Sequence, residues 1–286
     1  MSVGRLTDTA LLVVAHGASQ NRYSALPAFR HTQRIRRTGI FGHVACGFWK
    51  QQPFVREVFE QTLSLPEIKQ VIILPLFLAE GYFSQKVIPE ALGITPPVTI
   101  IAGKEIVYAA VPGTSLKLAD VLIRRAQKIS TVCMLDPKEL ALIVVGHGTE
   151  RHENTATTLL RLVEVVTKKN IFAECHPAFM EMQPFISNWH NFTSRRYVVV
   201  VPFFVANGLH AYEDIPVLLG ITEKVDPQLP ANRIYNPRGH FVKGRHLWYC
   251  PSIGYEPEMT RVLLECAFSA VTACRKTLFN VRGQDA

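Results

Sequence analysis

The sequence has no CxxC pair. Its six cysteines, Cys46, Cys133, Cys175, Cys250, Cys266 and Cys274, stand apart, which excludes a zinc ribbon or an iron–sulfur cluster held by closely spaced thiolates. Several lie in apolar stretches, where a free cysteine is a small core residue, and this fits a reducing compartment. No apolar run is long enough for a membrane span. The longest, such as Val198 to Val205, fall well short of the roughly 20 residues a spanning helix needs. The opening MSVGRLTDTA lacks a basic stretch leading into an apolar core and a small-residue cleavage site, so the expected location is cytoplasmic, with no membrane partner. A nucleotide would need a glycine-rich phosphate loop, and none is found. Nucleic acid would call for a helix-turn-helix, an RNP-type strand or a basic arm, and these are missing too.

The composition is that of a globular chain, with 48% hydrophobic and 19% charged residues among 286. That length allows two domains of ordinary size. The net charge of +8 is spread out, with a mild cluster at Arg30 to Arg37 (RHTQRIRR). The cluster reads as a solvated basic helix face. The overall balance also suits a small polyanion bearing many carboxylates.

The chain repeats itself. LLVVAHGAS (Leu11 to Ser19) matches LIVVGHGTE (Leu142 to Glu150), setting His16 against His147. GFWKQQPF (Gly47 to Phe54) matches AFMEMQPF (Ala178 to Phe185). VIILPLFLAEGYFSQKVIPEALGI (Val71 to Ile94) matches VVVVPFFVANGLHAYEDIPVLLGI (Val198 to Ile221). A weaker pair surrounds Gly113 and Gly254. Two copies of about 130 residues in one order imply domain duplication, not a solenoid.

Each copy alternates short apolar runs with helical patterns. In the first copy, strands are expected at Ala10 to Ala15, His43 to Phe48 and Val71 to Leu76. A fourth falls at Val98 to Ala102 or at Ile106 to Ala110. Helices are expected at Pro27 to Arg37, Phe54 to Leu63, Val87 to Leu92 and Ser115 to Ile129. The second copy repeats the pattern, with Pro184 to Phe192 as the counterpart of the second helix. The expected fold class is α/β, two similar doubly wound parallel-sheet domains. The expected boundaries are 1–130 and 138–286, with Ser130 to Lys138 as linker. The second copy alone carries a long basic segment, Thr222 to His246, containing Arg238 and Lys243. It reads either as a cover over an anionic ligand or as a surface loop.

In open parallel sheets, ligands gather at the carboxyl ends of the strands. His147 follows the first strand of the second copy, Glu181 follows the second strand, and His210 lies in the loop after the third. Two imidazoles and a carboxylate at one edge suit a borderline divalent metal and proton transfer near neutral pH. The first copy is an internal control. It keeps His16, but Lys50 stands where Glu181 is and Phe83 where His210 is. A histidine phosphatase would want an arginine before the strand-end histidine, where Ala15 and Gly146 stand.

VVGHGT (Val144 to Thr149), AFMEMQP (Ala178 to Pro184) and VPFFVANGLHAYEDIPVLLGI (Val201 to Ile221) resemble the ATP-independent class II tetrapyrrole chelatases of the CbiX type. VVAHGASQNRY and PLFLAEGYF in the first copy look like the same family with the site eroded. The resemblance covers both halves and implies the fused two-domain form, either a monomer with pseudo-twofold symmetry or a weak homo-oligomer. It implies insertion of Co2+ or Fe2+, less readily Ni2+, into sirohydrochlorin, an anionic tetrapyrrole, on the routes to cobalamin and siroheme. The metal is then a substrate, and no nucleotide takes part. By the same resemblance His147 and His210 bind the metal and accept pyrrole protons, and Glu181 matches a metal-binding glutamate of some relatives. Arg238 and Lys243 become candidate contacts to substrate carboxylates. The alternative is a tetrapyrrole or metal carrier with the same fold and no turnover.

Overall fold

The computed structural model describes residues 5–18, 22–148, 153–225 and 233–282. The first half runs β1 (Leu6–Ala15), α1 (Leu26–Arg37), β2 (Phe41–Phe48), α2 (Val55–Leu63), β3 (Gln70–Pro75), α3 (Ile88–Leu92), β4 (Val98–Ile101) and β5 (Lys104–Tyr108). Helix α4 (Leu118–Cys133) follows. The second half runs β6 (Leu140–Gly146), α5 (Glu153–Lys168), β7 (Glu174–Phe179), β8 (Tyr197–Pro202), α6 (Ile215–Leu218), β9 (His240–Val242), β10 (Arg245–Tyr249) and α7 (Met259–Arg282).

The two sheets have one topology, β2-β1-β3-β5-β4 and β7-β6-β8-β10-β9. Their inner strands pair in parallel. The central strands are fully buried from Ala10 to Val14 and from Leu140 to Val145. Unbroken apolar runs are what strands covered on both faces require. The expected α/β architecture is therefore present, with one correction: each sheet is mixed. Both stretches named as alternatives for the fourth strand are strands, and they form a hairpin whose outer member, β4, is antiparallel. β9 does the same in the second half. Both hairpins turn on a residue and a glycine at positive φ, Ala102-Gly103 and Lys243-Gly244, as tight two-residue turns demand. A second correction concerns Pro184 to Phe192. It contains a 3-10 run, Ile186–Asn191, broken by non-helical angles at Asn188, in place of an α-helix.

The compact units do not follow the sequence halves. One unit comprises residues 1–114 and 260–286, the other 115–259. Helix α4, which closes the first half in sequence, packs on α5 and β8. Helix α7 packs in the first unit, where Phe268 stacks on Phe41 at 6.1 Å and Thr260 hydrogen-bonds the fully buried His31 at 2.8 Å. The RHTQRIRR cluster lies on α1, whose Arg30, Arg36 and Arg37 are exposed, as expected of a solvated face. No helix among the described residues is long and apolar enough to cross a membrane.

Candidate functional site

The site is built by three loops leaving the carboxyl edge of the second sheet. His147 is the first residue after β6. The glycine that follows turns the chain back at φ +67, and a Cβ there would fall 2.6 Å from the Phe179 Cβ. Only glycine meets both conditions without strain. The turn lets the Met180 and Glu181 N–H groups donate to the His147 carbonyl at 2.9 and 3.2 Å. The shared QPF segment then closes the loop, since Phe179 N–H donates to the Pro184 carbonyl at 2.9 Å. The first copy repeats this with Lys50 N–H on the His16 carbonyl and Phe48 N–H on the Pro53 carbonyl, both 2.9 Å.

His210 opens a single π-helical turn, His210–Asp214, continued by α6. Proline explains how this turn is held. The Ile215 N–H donates to the His210 carbonyl, five residues back. The next donor in that ladder would be residue 216, a proline with no N–H. The Ala211 carbonyl, left without a helical partner, accepts instead from Tyr249 Oη at 2.5 Å and from Tyr235 Oη at 3.4 Å. In the first copy Pro89 leaves the Ser84 carbonyl free, and Tyr108 Oη donates to it at 2.6 Å. Burial pushes the Tyr249 phenol well above its ordinary pKa, so the donor proton stays in place. Tyr249→Phe is therefore expected to cost about 1–2 kcal/mol by leaving a buried carbonyl poorly served. Urea denaturation of the variant measures this, and an unchanged midpoint refutes it.

The loop between β8 and His210 is latched from outside. Ser252 N–H donates to Asn207 Oδ1 at 2.8 Å, and Ser252 Oγ donates to the Ala206 carbonyl at 3.2 Å. Gly254 N–H reaches the Phe204 carbonyl at 3.1 Å. A Cβ on Gly254 would sit 1.9 Å from the Val205 oxygen, so the approach requires glycine.

These elements bring His147 and His210 together, with ring centroids 4.7 Å apart and planes at 75°. Glu181 Oε1 lies 3.5 Å from His147 Nε2. Asp214 Oδ2 lies 2.7 Å from His210 Nδ1. A carboxylate can only accept, so Nδ1 carries the proton there, and in the neutral ring this places the lone pair on Nε2 of His210. Burial is the main influence on His147 and holds its pKa below the ordinary 6.5, helped by the neighbouring His210 and opposed by Glu181, the Gly148 backbone and Asp214. The edge is thus a pair of half-exposed imidazoles flanked by two carboxylates. Among the described residues, no set of three or more His, Cys, Asp or Glu side chains is gathered as a ready metal cage. The 3.5 Å gap between His147 Nε2 and Glu181 is long for a hydrogen bond. It is close to the roughly 3.4 Å that separates two ligands at about 2.1 Å on one tetrahedral ion. Beside the pair, Leu209 is 56% exposed, an apolar surface next to the polar groups.

The first copy preserves the geometry and removes the chemistry. His16 and Phe83 stand 4.6 Å apart at 83°, and His16 Nδ1 donates to the Gly17 carbonyl at 2.8 Å. Phe83 packs as His210 does but offers no lone pair.

Lys243 does not join the site. β10 begins at Arg245 and runs parallel to β8, with His246 level with Tyr197. The turn carrying Lys243 therefore lies at the amino end of the sheet, opposite the histidines. Arg238 is exposed in the turn before the outermost strand β9. The described parts of the Thr222–His246 segment instead add Val225 and Ile234 to the core, and Tyr235 stacks on Tyr249 beneath the π-turn at 5.6 Å. Residues 226–232 of that segment lie outside the described residues. Sequence reasoning passed over Asp214, whose spacing of four from His210 on a helical turn was the available signal. It also passed over Leu209.

A profile of the CbiX family matches residues 10–129 and again residues 141–270. The chain is 33% identical over 278 residues to a probable sirohydrochlorin cobaltochelatase of Halobacterium salinarum, covering 91% of each protein. Among solved structures, a multi-domain protein of Deinococcus radiodurans with structural similarity to chelatases superposes with a TM-score of 0.72 at 21% identity, over 91% of this chain and 54% of that one. SirB from Bacillus subtilis with Fe3+ superposes with a TM-score of 0.67 at 16% identity, over 97% of this chain and 98% of that one. At those identities the superpositions speak for the fold, while the two profile matches and the archaeal relative bear on descent. Both halves of the chain belong to the CbiX family.

Proposed function

We propose that the protein inserts a divalent metal into sirohydrochlorin without ATP, with Co2+ or Fe2+ ahead of Ni2+ as the metal substrate. The observation that carries this reading is the His147–His210 pair, 4.7 Å apart at the carboxyl edge of the second sheet. The archaeal relative is named for cobalt and sirohydrochlorin, and the Bacillus subtilis relative was solved with iron. Both metals accept imidazole and carboxylate ligands.

Insertion removes two pyrrole protons and delivers a cation to the ring. His147 and His210 serve as ligands through neutral nitrogens, Glu181 steadies the cation beside His147, and as the cation passes to the ring the two freed imidazoles take up one pyrrole proton each. Asp214 acts through His210 by fixing which nitrogen is protonated. Leu209 offers the macrocycle an apolar contact. Two partly exposed imidazoles suit a metal that must be handed on, where a closed cage would retain it. The test is anaerobic mixing of protein, sirohydrochlorin and Co2+, Fe2+ or Ni2+ in turn, following the visible spectrum against the protein-free rate. A spectral shift with protein alone, and no acceleration with any metal, favours the carrier.

The depressed pKa of His147 gives the acid limb a direction. The working form of His147 is neutral, so the limb that His147 sets lies below 6.5, the ordinary histidine value. Glu181 raises that pKa, so Glu181→Gln is expected to move the acid limb to still lower pH. It should also weaken metal binding, seen as a higher KM for metal. A limb that moves upward in Glu181→Gln contradicts the assignment.

A further inference from the structure

The eroded site of the first unit has reversed its charge. Lys50 stands where the second copy has Glu181, Lys86 where it has Glu213, and Val87 where it has Asp214. Glu181 and Asp214 beside the histidine pair, and Glu213 on the same π-turn, have become two cations and an apolar residue on the loops that carry His16 and Phe83. These three replacements run toward anion binding, while Glu80, standing where the second copy has Asn207, adds one carboxylate to the same loop. The scaffold beneath them is intact. The His16–Phe83 pair keeps the spacing of its counterpart, 4.6 Å, the Lys50 N–H is anchored on the His16 carbonyl at 2.9 Å, and the π-turn is held by Tyr108.

The surroundings suit a flat, acidic ligand. Tyr82 is 56% exposed and Trp49 37%. The Tyr82 ring lies 6.2 Å from Phe83, with the Lys86 ammonium 5.9 Å from its centroid. Gln51 braces the loop by accepting from the Ala18 N–H at 2.9 Å. Glu80 is the carboxylate of the β3 loop, and Gln85 Nε2 donates to it at 3.4 Å. Neither Lys50 nor Lys86 forms an ion pair among the described residues. The Lys86 ammonium beside the exposed Tyr82 ring combines charge attraction with a stacking surface, and Lys50 adds a second charge on the loop that carries Trp49.

We propose that this first-unit counterpart of the metal site is a carboxylate-binding site, where Lys50 and Lys86 hold acidic side arms of a tetrapyrrole against Tyr82 and Trp49. The ligand class rests on the function proposed above, but the binding does not require turnover. The probe is metal-free uroporphyrin, an octacarboxylate tetrapyrrole, titrated into the full chain by fluorescence at low and high salt. The variant Lys50→Ala/Lys86→Ala is expected to bind about tenfold more weakly with a shallower salt dependence. Lys138→Ala/Lys168→Ala removes the same charge elsewhere and is expected to bind as wild type. Affinity unchanged in the first variant, or lowered equally in both, overturns the proposal. Tyr82→Ala, which leaves both ammonium groups in place, is expected to weaken binding without changing the salt slope. Cobalt insertion into sirohydrochlorin is measured in parallel on wild type. Absence of insertion together with lysine-dependent binding overturns the chelatase reading and leaves this site standing.

Discussion

Replacing His210 with alanine is expected to lower metal insertion by about a hundredfold or more, and replacing His147 to do the same, while His16→Ala changes the rate only a few-fold. The argument is one of matched geometry. Each copy sets an aromatic ring against a strand-end histidine at nearly the same distance, 4.7 Å and 4.6 Å. Only the second copy supplies two imidazoles, and a positioned base or acid contributes roughly a hundredfold to ten-thousandfold. His210→Phe recreates the arrangement of the first copy and should fail as completely as alanine, because it restores packing and not a lone pair. Initial rates from the macrocycle spectrum under anaerobic conditions decide the matter. Equal losses in His16→Ala and His147→Ala would place the chemistry in the wrong half.

Much of this was legible because the chain carries its own control. Pairing His16 with His147 and Phe83 with His210 separates what the fold needs from what chemistry needs, using one sequence. The strand ends were legible because buried parallel strands read as unbroken apolar runs, as in Val71 to Pro75 and Tyr197 to Pro202. The charge of Lys243 suggests a substrate contact. Charge does not say which edge of a sheet a turn occupies, and the direction of β10 decides that. The π-turn was hidden because its cause is spread over three places, a proline at 216, a free carbonyl at 211 and a tyrosine at 249. The exchange of α4 and α7 between the compact units was hidden for another reason. A repeat marks which segments descend from one ancestor, whereas packing marks which faces bury one another, and the helical patterns of α4 and α7 fit either sheet.

Glu256→Ala is expected to destabilise the second unit by about 3–5 kcal/mol, the usual effect of removing one partner from a buried ion pair. Glu256 is fully buried. Its Oε1 lies 2.6 Å from Arg125 Nε and its Oε2 2.5 Å from Lys128 Nζ. The Arg125 contact is close but bent, so it acts as charge pairing more than as a linear hydrogen bond. Arg125 is only 13% exposed, and without Glu256 its guanidinium is left in the interior with the Ser252 carbonyl, 3.4 Å away. Lys128 is 52% exposed, so Lys128→Ala should cost less than about 1 kcal/mol. The position also ties stability to the site. Glu256 directly follows the Ser252–Tyr255 turn, whose Ser252 and Gly254 latch the β8 loop that delivers His210. In Glu256→Ala the loop should loosen before the sheet unfolds, so metal-dependent activity should decline at denaturant concentrations where the circular dichroism is still native. Chemical denaturation followed by both signals tests each half of the expectation. Equal midpoints for Glu256→Ala and Lys128→Ala would show that Arg125 does not depend on Glu256. Coincident loss of activity and helicity would show that the latch gives way only with the whole unit.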